Sequence, residues 1–402
     1  MKLEALPPLA LYVHIPWCVR KCPYCDFNSH EIGGALPENE YVARLILDLE
    51  SALPSVWGRR LTSVFIGGGT PSLFSPDAID ALLSGVRARL ALDSGAEITL
   101  EANPGTVEAG RFRGFRAAGV SRISIGVQSF EERMLAALGR IHSAGEARRA
   151  IDAALASFDN VNLDLMYGLP GQSPAMARAD IEQAARSGVP HLSAYQLTIE
   201  PNTVFWSKPP RLPEHDACAD MQVMVEEVLG EAGYEHYETS AFARPGRRCQ
   251  HNLNYWEFGD YLGIGAGAHG KISFPDRITR HERAKQPAQY LAASAAVENR
   301  VVPERDLPFE FMLNALRLVD GFAPRLFEER TGLPLARIDG ELNQGESKGL
   351  LERDWRRIRP SARGQRFLNE LLALFLAGET GDPSPGAPGA GRVIRISSRA
   401  GP

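Results

Sequence analysis

Three of the five cysteines in this 402-residue chain crowd into one run, Cys18-Val-Arg-Lys-Cys22-Pro-Tyr-Cys25. Thiolates presented from a single loop can wrap one metal centre, since the thiolate is the form of cysteine that ligates. A [4Fe-4S] cluster ordinarily takes four cysteines. With three, one iron is left open to a small molecule, just as a catalytic zinc keeps an open position. The spacing by itself also admits a zinc site completed by His14 or His30, a redox dithiol, or chance crowding. Cysteines this few and odd in number do not form a disulfide framework.

Further candidates lie downstream. Gly67-Gly68-Gly69-Thr70-Pro71 is a glycine run that lets backbone approach a ligand closely. Gly67, Glu101, Gln128 and Asp164 each fall at or just past the end of an apolar run. One polar residue at a strand end is commonplace, whereas a set on successive strands outlines a mouth. In His251-Asn252-Leu253-Asn254-Tyr255-Trp256 a neutral imidazole could ligate iron, the rings of Tyr255 and Trp256 offer flat apolar surface to a porphyrin, and Cys249 stands close by as a second ligand. Taken alone, though, a histidine beside aromatics is more often a hydrogen-bonded core residue. Cys218 reads as a buried small hydrophobe, and His191, His236 and His269 carry no assignment.

Elements that could position these groups follow from the pattern. Strand-like runs recur at Leu11–Ile15, Ser63–Ile66, Glu97–Leu100, Arg122–Val127, Asn160–Met166 and His191–Ile199. Between them lie helical stretches at Tyr41–Leu53, from Ser75-Pro76 to Leu90, Val107–Ala118, Gly145–Ser157 and Pro174–Ser187. About six βα units predict an α/β fold, a partial TIM-like barrel with a parallel sheet and its working groups at the strands' C-terminal ends. Residues 1–240 are expected to form this core. Beyond it, 241–305 is expected to add one sheet element and a covering segment that carries the His251 motif. Helical periods at Pro308–Val319, Pro334–Gly349 and Arg363–Leu376 flank a two-stranded wing at Leu350–Arg359, which predicts a small winged-helix-like domain over 306–378. Residues 379–402, rich in Gly and Pro, are expected to be a disordered tail.

Composition narrows the partners. Lys plus Arg total 44 against 49 Asp plus Glu, a formal charge of -5, so no broad basic field attracts nucleic acid or an anionic bilayer. The wing domain is also nearly balanced in charge, which favours packing or docking over nucleic-acid binding. Apolar runs fall short of the ~20 residues of a membrane span, and Met1–Ala10 lacks the features of a secretory signal. A cytoplasmic location is expected. The sequence does not indicate membrane contact and leaves oligomeric state open.

The cysteine loop, with Tyr24 before its last cysteine, and the glycine run after the next strand resemble the two signatures of the radical S-adenosylmethionine (SAM) superfamily. That resemblance implies a cluster whose open iron chelates SAM and whose electron cleaves the sulfonium to a 5'-deoxyadenosyl radical, while the protein orients the cofactor and excludes water. The likeness extends to Tyr12-Val-His-Ile-Pro-Trp-Cys18, Glu101-Ala-Asn-Pro104, Ile125-Gly-Val-Gln-Ser-Phe130 and Asp164-Leu-Met-Tyr-Gly-Leu-Pro170, which resemble the oxygen-independent coproporphyrinogen III oxidase group. It implies SAM contacts from Tyr12, Tyr24, Gly68, Gly69, Thr70, Glu101, Gln128, Arg140 and Asp164. The residue types agree with such contacts, because carboxylates accept from ribose hydroxyls or an amino group and Arg140 can grip a carboxylate.

Within that group, the decarboxylating oxidases carry a further cysteine where this chain has Phe27, and a long extension before the cluster loop that is missing here. The loop is more similar to the HemW branch, the heme chaperones, whose His-Asn-x-x-Tyr-Trp motif is associated with heme. The resemblance therefore implies heme as ligand at His251, Tyr255 and Trp256, acceptor hemoproteins as partners, and a chaperone more than an enzyme. The alternative is oxidative decarboxylation of coproporphyrinogen III with the same cofactors.

Overall fold

Leu9–Ile15 forms the first strand, β1, and every one of its residues is buried. Burial on both faces is what an unbroken apolar run gives in the middle of a parallel sheet. Two short parallel strands, Trp17–Cys18 (β2) and His30–Glu31 (β3), then pin the two ends of the cysteine loop together. From there strand and helix alternate. Leu61–Gly68 (β4), Leu92–Ala102 (β5), Arg122–Gln128 (β6), Val161–Tyr167 (β7) and His191–Gln196 (β8) continue from β1 as an all-parallel sheet. The intervening helices start where the sequence puts their caps: Ser75, Ser143 and Ser173 each accept a backbone N–H bond, and Ser143 completes a reciprocal box with Glu146. The computed structural model describes residues 1–106, 109–292 and 297–376. The expected tail over 379–402 and the expected helix start at Val107 lie outside the described residues.

The sheet does not stop at the six βα strands. Glu235–Glu238 (β9) and Ala241–Ala243 (β10) run antiparallel at the β8 edge. On the other side, Asp260–Ile264 (β11) pairs in parallel with β1, and His269–Ser273 (β12), Ile278–Arg283 (β13) and Val297–Val301 (β14) follow antiparallel. The result is one 12-stranded sheet in the order β14-β13-β12-β11-β1-β4-β5-β6-β7-β8-β10-β9. The stretch 241–305 thus supplies β10 to β14 rather than a single sheet element and a cover. Its strand pattern is hidden because buried charges interrupt it. Lys271 is fully enclosed, with Nζ donating to Asp260 Oδ1 at 2.8 Å, and Arg283 Nε donates to Asp48 at 2.8 Å. Charges that read as solvated surface are satisfied inside the fold.

After β14, helices Leu307–Ala315, Pro324–Thr331, Asp339–Ser347, Ala362–Arg366 and Leu368–Ala373 surround a hairpin of Leu351–Arg353 (β15) and Ile358–Pro360 (β16). This is the expected winged unit, with one helix, Pro324–Thr331, that periodicity did not reveal. It has its own core of Phe311, Phe322, Phe327, Leu342 and Leu371, which Phe258 and Ile278 of the sheet domain join. Among the described residues no helix is long and apolar enough to cross a membrane.

Candidate functional site

β1 delivers the chain to the cysteine loop at the C-terminal end of the sheet. Cys18, Cys22 and Cys25 carry free thiols and are half-buried. They line one cavity together with Tyr24, Gly68, Gly69, Thr70, Glu101, Gln128, Arg140 and Asp164. Each sulfur meets a different polar group: Thr70 Oγ1 donates to Cys18 at 3.4 Å, Arg140 Nη1 donates to Cys22 at 3.7 Å, and Ser29 Oγ lies 3.6 Å from Cys25. Burial pushes the Cys18 thiol up to about 11, against the Thr70 bond. A cation bound beside it would reverse that preference.

The two histidines that could complete a zinc site are engaged elsewhere. His14 is committed at both nitrogens, to Tyr12 Oη at 3.0 Å and the Asn28 carbonyl at 2.9 Å, and His30 Nε2 pairs with Asn28 Oδ1 at 3.2 Å. Among the described residues no three His, Cys, Asp or Glu side chains converge as a single metal ion requires. Sulfurs spread around a loop suit a polynuclear group.

The glycine run packs onto this loop. Gly69 and Thr70 donate backbone bonds to the carbonyls of Ile15 at 2.8 Å and Trp17 at 2.7 Å. Gly68 takes φ +113°, and a Cβ there would meet the His14 ring at 2.6 Å. The missing side chain at Gly68 therefore lets the end of β4 lie against the loop's entry strand, which ties the two motifs into one unit.

Successive strand ends supply the rest. Glu101 Oε2 accepts from the Gly68 N–H at 3.1 Å, while Asp164 accepts from Ser124 Oγ at 3.0 Å and Asn162 Nδ2 at 2.9 Å. Burial, and then the neighbouring Asp164, push Glu101 up to about 8. Burial also raises Asp164, opposed by its two donors. Gln128 sits at φ +70° and its Oε1 accepts from Tyr195 Oη at 2.9 Å. The turn after it is held by Asp180, whose carboxylate accepts from Ser129 Oγ at 2.6 Å and the Phe130 N–H at 2.8 Å. Arg140 Nη2 donates to the Gly126 carbonyl at 2.6 Å, leaving a buried Nε with no partner. A guanidinium with an unpartnered Nε in the same cavity lining as two half-buried carboxylates fits a ligand that carries carboxylate, ammonium and hydroxyl groups together, as SAM does.

Tyr12 departs from the expected set. It lines a neighbouring cavity of about 1050 Å³ instead, with His14, Tyr261, His269, Arg280 and Phe309. Cys25, Phe27 and Ser29 line both spaces, so Phe27 stands on the partition between them.

The His251 motif lies elsewhere, on the Gln250–Trp256 helix, which packs against the strands' N-terminal halves. Ser63 and Glu97 of that layer lie on the sheet face that presents Gly67 and Glu101 nearer the mouth. His251 is 2% exposed, Tyr255 6% and Trp256 6%. His251 Nδ1 pairs with Ser63 Oγ at 2.9 Å, and its ring stacks on Phe65 at 5.0 Å and meets Tyr255 edge-on at 5.1 Å. Glu97 Oε1 accepts from the N–H of Gln250 at 3.1 Å and from the Cys249 thiol at 3.4 Å. Burial pushes Cys249 up to about 12, and as a thiol it donates to Glu97. As packed, this patch does not present the flat surface expected for a porphyrin.

Residues the sequence did not single out turn out to matter: Ser124, Asn162, Asp180 and Tyr195. Ser124 and Tyr195 meet their partners 40 and 67 positions away through the sheet, and Asp180 meets Ser129 across 51 positions from the helix Pro174–Arg186, while Asn162 joins its near neighbour Asp164 to Ser124 on the next strand.

Comparison with known proteins agrees with this architecture. Residues 12–184 match the radical SAM superfamily and residues 302–367 match the HemN C-terminal domain. The heme chaperone HemW of Escherichia coli K12 is 53% identical, with 92% of this chain and 99% of that protein covered. The chain belongs to the HemW family. The Haemophilus influenzae HemW is 48% identical, covering 94% of this chain and all of that protein. The bovine mitochondrial radical S-adenosyl methionine domain-containing protein 1 is 35% identical, covering 92% of this chain and 87% of that protein. Among solved structures, the coproporphyrinogen III oxidase HemN of E. coli superposes with a TM-score of 0.78 over 92% of this chain and 90% of that one, at 23% identity. That likeness establishes the shared fold. Radical SAM membership implies a [4Fe-4S] cluster and SAM.

Proposed function

We propose that this protein is a heme chaperone: it binds heme and passes it to acceptor hemoproteins. Cys18, Cys22 and Cys25 would hold the [4Fe-4S] cluster, and Tyr24, Gly68, Gly69, Thr70, Glu101, Gln128, Arg140 and Asp164 would hold SAM, with Tyr12 behind them. When bound, the pair supplies reductive cleavage of a sulfonium. This chain's residues bind and orient it. Arg140 would donate to a carboxylate, Glu101 and Asp164 would accept from hydroxyls or an ammonium, and the backbone bonds of Gly69 and Thr70 to Ile15 and Trp17 hold the loop against β4.

The observation that carries this reading is the 53% identity to a HemW heme chaperone over 99% of its length. Phe27 supports it, because it sets an apolar ring where the resemblance would require a further sulfur donor in a decarboxylase.

Two measurements on anaerobically prepared protein test it. Ferric heme should give a saturable Soret shift, and heme-loaded protein should restore the spectrum of an apo-hemoprotein acceptor. Incubated with reductant, SAM and coproporphyrinogen III, the protein should yield no vinyl product at catalytic turnover. Turnover there, or a heme titration without saturation, would overthrow the proposal.

A further inference from the structure

The heme-chaperone reading needs a place for a planar macrocycle of iron with two carboxylate tails, and the His251 patch is closed by its own packing. The cavity of about 1050 Å³ is open and of a size suited to a cofactor. One wall is a face of β12–β14. His269 and Glu282 are register partners there, as are Arg280 and Arg300, and successive residues alternate faces, so His269, Arg280, Glu282 and Arg300 share one side. The opposite wall is the Leu307–Ala315 helix, which contributes Phe309, Glu310 and Leu313. The cysteine loop makes the third wall, with Phe27.

We infer that heme seats in this second cavity, with His269 as its imidazole ligand, Phe27, Phe309 and Leu313 against the ring, and Arg300 and Lys285 at the rim for the propionates.

Four features carry the assignment. The His269 side chain is 49% exposed and lines the cavity, with its Nε2 3.6 Å from the Glu282 carboxylate, near but beyond hydrogen-bond reach. Arg280 is occupied by Glu310 and by Tyr261 Oη at 2.5 Å, which leaves the recruitment of carboxylates to the rim cations. Arg300 and Lys285 are each 66% exposed at the side chain, and their surface ion pairs with Glu310 and Glu282 are of the weak kind that yields to a propionate. The cavity also adjoins the cluster loop through Cys25 and Phe27, so a macrocycle held here would lie beside the cofactor space.

The inference rests on the heme-chaperone reading, and titration of the full-length protein with ferric heme separates the two. Wild type should bind saturably. His269→Ala should move the Soret maximum and weaken binding by about tenfold or more. Leu313→Trp, which fills the space given to the ring and leaves His269 in place, should weaken it similarly. Arg300→Ala with Lys285→Ala should cost about tenfold for heme and much less for heme dimethyl ester, whose propionates are blocked. Unchanged Soret position and affinity in both His269→Ala and Leu313→Trp would overturn this placement while leaving the chaperone reading intact. Absence of saturable binding by wild type would remove the chaperone reading itself.

Discussion

The sheet holds two groups of cysteine, histidine, carboxylate and aromatic side chains at opposite ends of the same strands, and they are built to opposite purposes. At the C-terminal ends, the three half-buried sulfurs, Arg140 and the half-buried carboxylates of Glu101 and Asp164 surround open space. At the N-terminal ends, His251, Cys249, Glu97 and Arg122 are buried, and Glu97 accepts bonds from the start of the helix that plugs the sheet. Residue types alone do not separate a site from a core. Unpartnered buried atoms occur at both, Arg140 Nε at the open end and Arg122 Nε, His251 Nε2 and Tyr255 Oη at the closed one, so what separates them is whether the groups line open space once the chain has folded.

The contrast is most vulnerable at the sulfurs. Cys22→Ser should reduce iron and acid-labile sulfide in anaerobically prepared protein to background, with the fold retained, because removing one of three ligands leaves the cluster too few anchors. Cys249→Ser should keep both at wild-type levels. Zinc without sulfide in the wild type would mean that the loop is a mononuclear site and that the two ends do not differ in this way.

At the closed end the expected loss is in stability. Glu97→Ala strips the partner from Arg122, whose Nε lies 4.0 Å from Glu97 Oε2 and is itself buried, and also removes the acceptor for three donors at the helix start. Breaking a buried pair from one side costs about 3–5 kcal/mol. Urea midpoints should fall accordingly. A loss below about 1 kcal/mol, the range of exposed pairs, would show that water reaches this layer.

A pH experiment distinguishes the open end. Glu101 has its folded value at about 8 against an ordinary 4.5. Between those limits the folded protein keeps a proton that the unfolded chain has lost, so stability falls as pH rises, by up to about 1.4 kcal/mol per pH unit for one such group, and levels off above. Glu101→Gln should flatten that slope in SAM-free protein followed by urea midpoints. Equal slopes would mean that Asp164, raised by the same burial, holds the proton instead.

How much of the molecule is legible in its sequence depends on what the signal rests on. The six parallel strands, the helix start at Ser75-Pro76 and the cysteine and glycine runs are local patterns, and they are where the sequence puts them. β12 to β14 escape a reading by periodicity because Lys271, Arg280, Glu282 and Arg283 break the alternation that marks a strand, and their ion pairs form only after folding. The partnering of Asp180 with Ser129 spans 51 positions and leaves no trace in either segment. The motif at His251 is legible as a motif, yet nothing local says that Phe65 and Ser63 will close over it. Even the glycine run takes on a different meaning in the fold, since at Gly68 the space is taken by the His14 ring.

The smallest expected effect tests that closure directly. Ser63→Ala removes the 2.9 Å partner of His251 Nδ1 and leaves a buried nitrogen unsatisfied, at a cost of about 1 kcal/mol. Burial holds His251 neutral, its value lowered to about 3, so the lost bond is an uncharged one and the penalty should not vary between about pH 5 and 8. If the helix is only a plug, cluster content and the Soret titration stay at wild-type values while the urea midpoint drops slightly. If the Soret titration weakens far beyond that loss in stability, His251 reaches heme after all through an opening of the plug, and the two ends of the sheet are coupled and not merely contrasted.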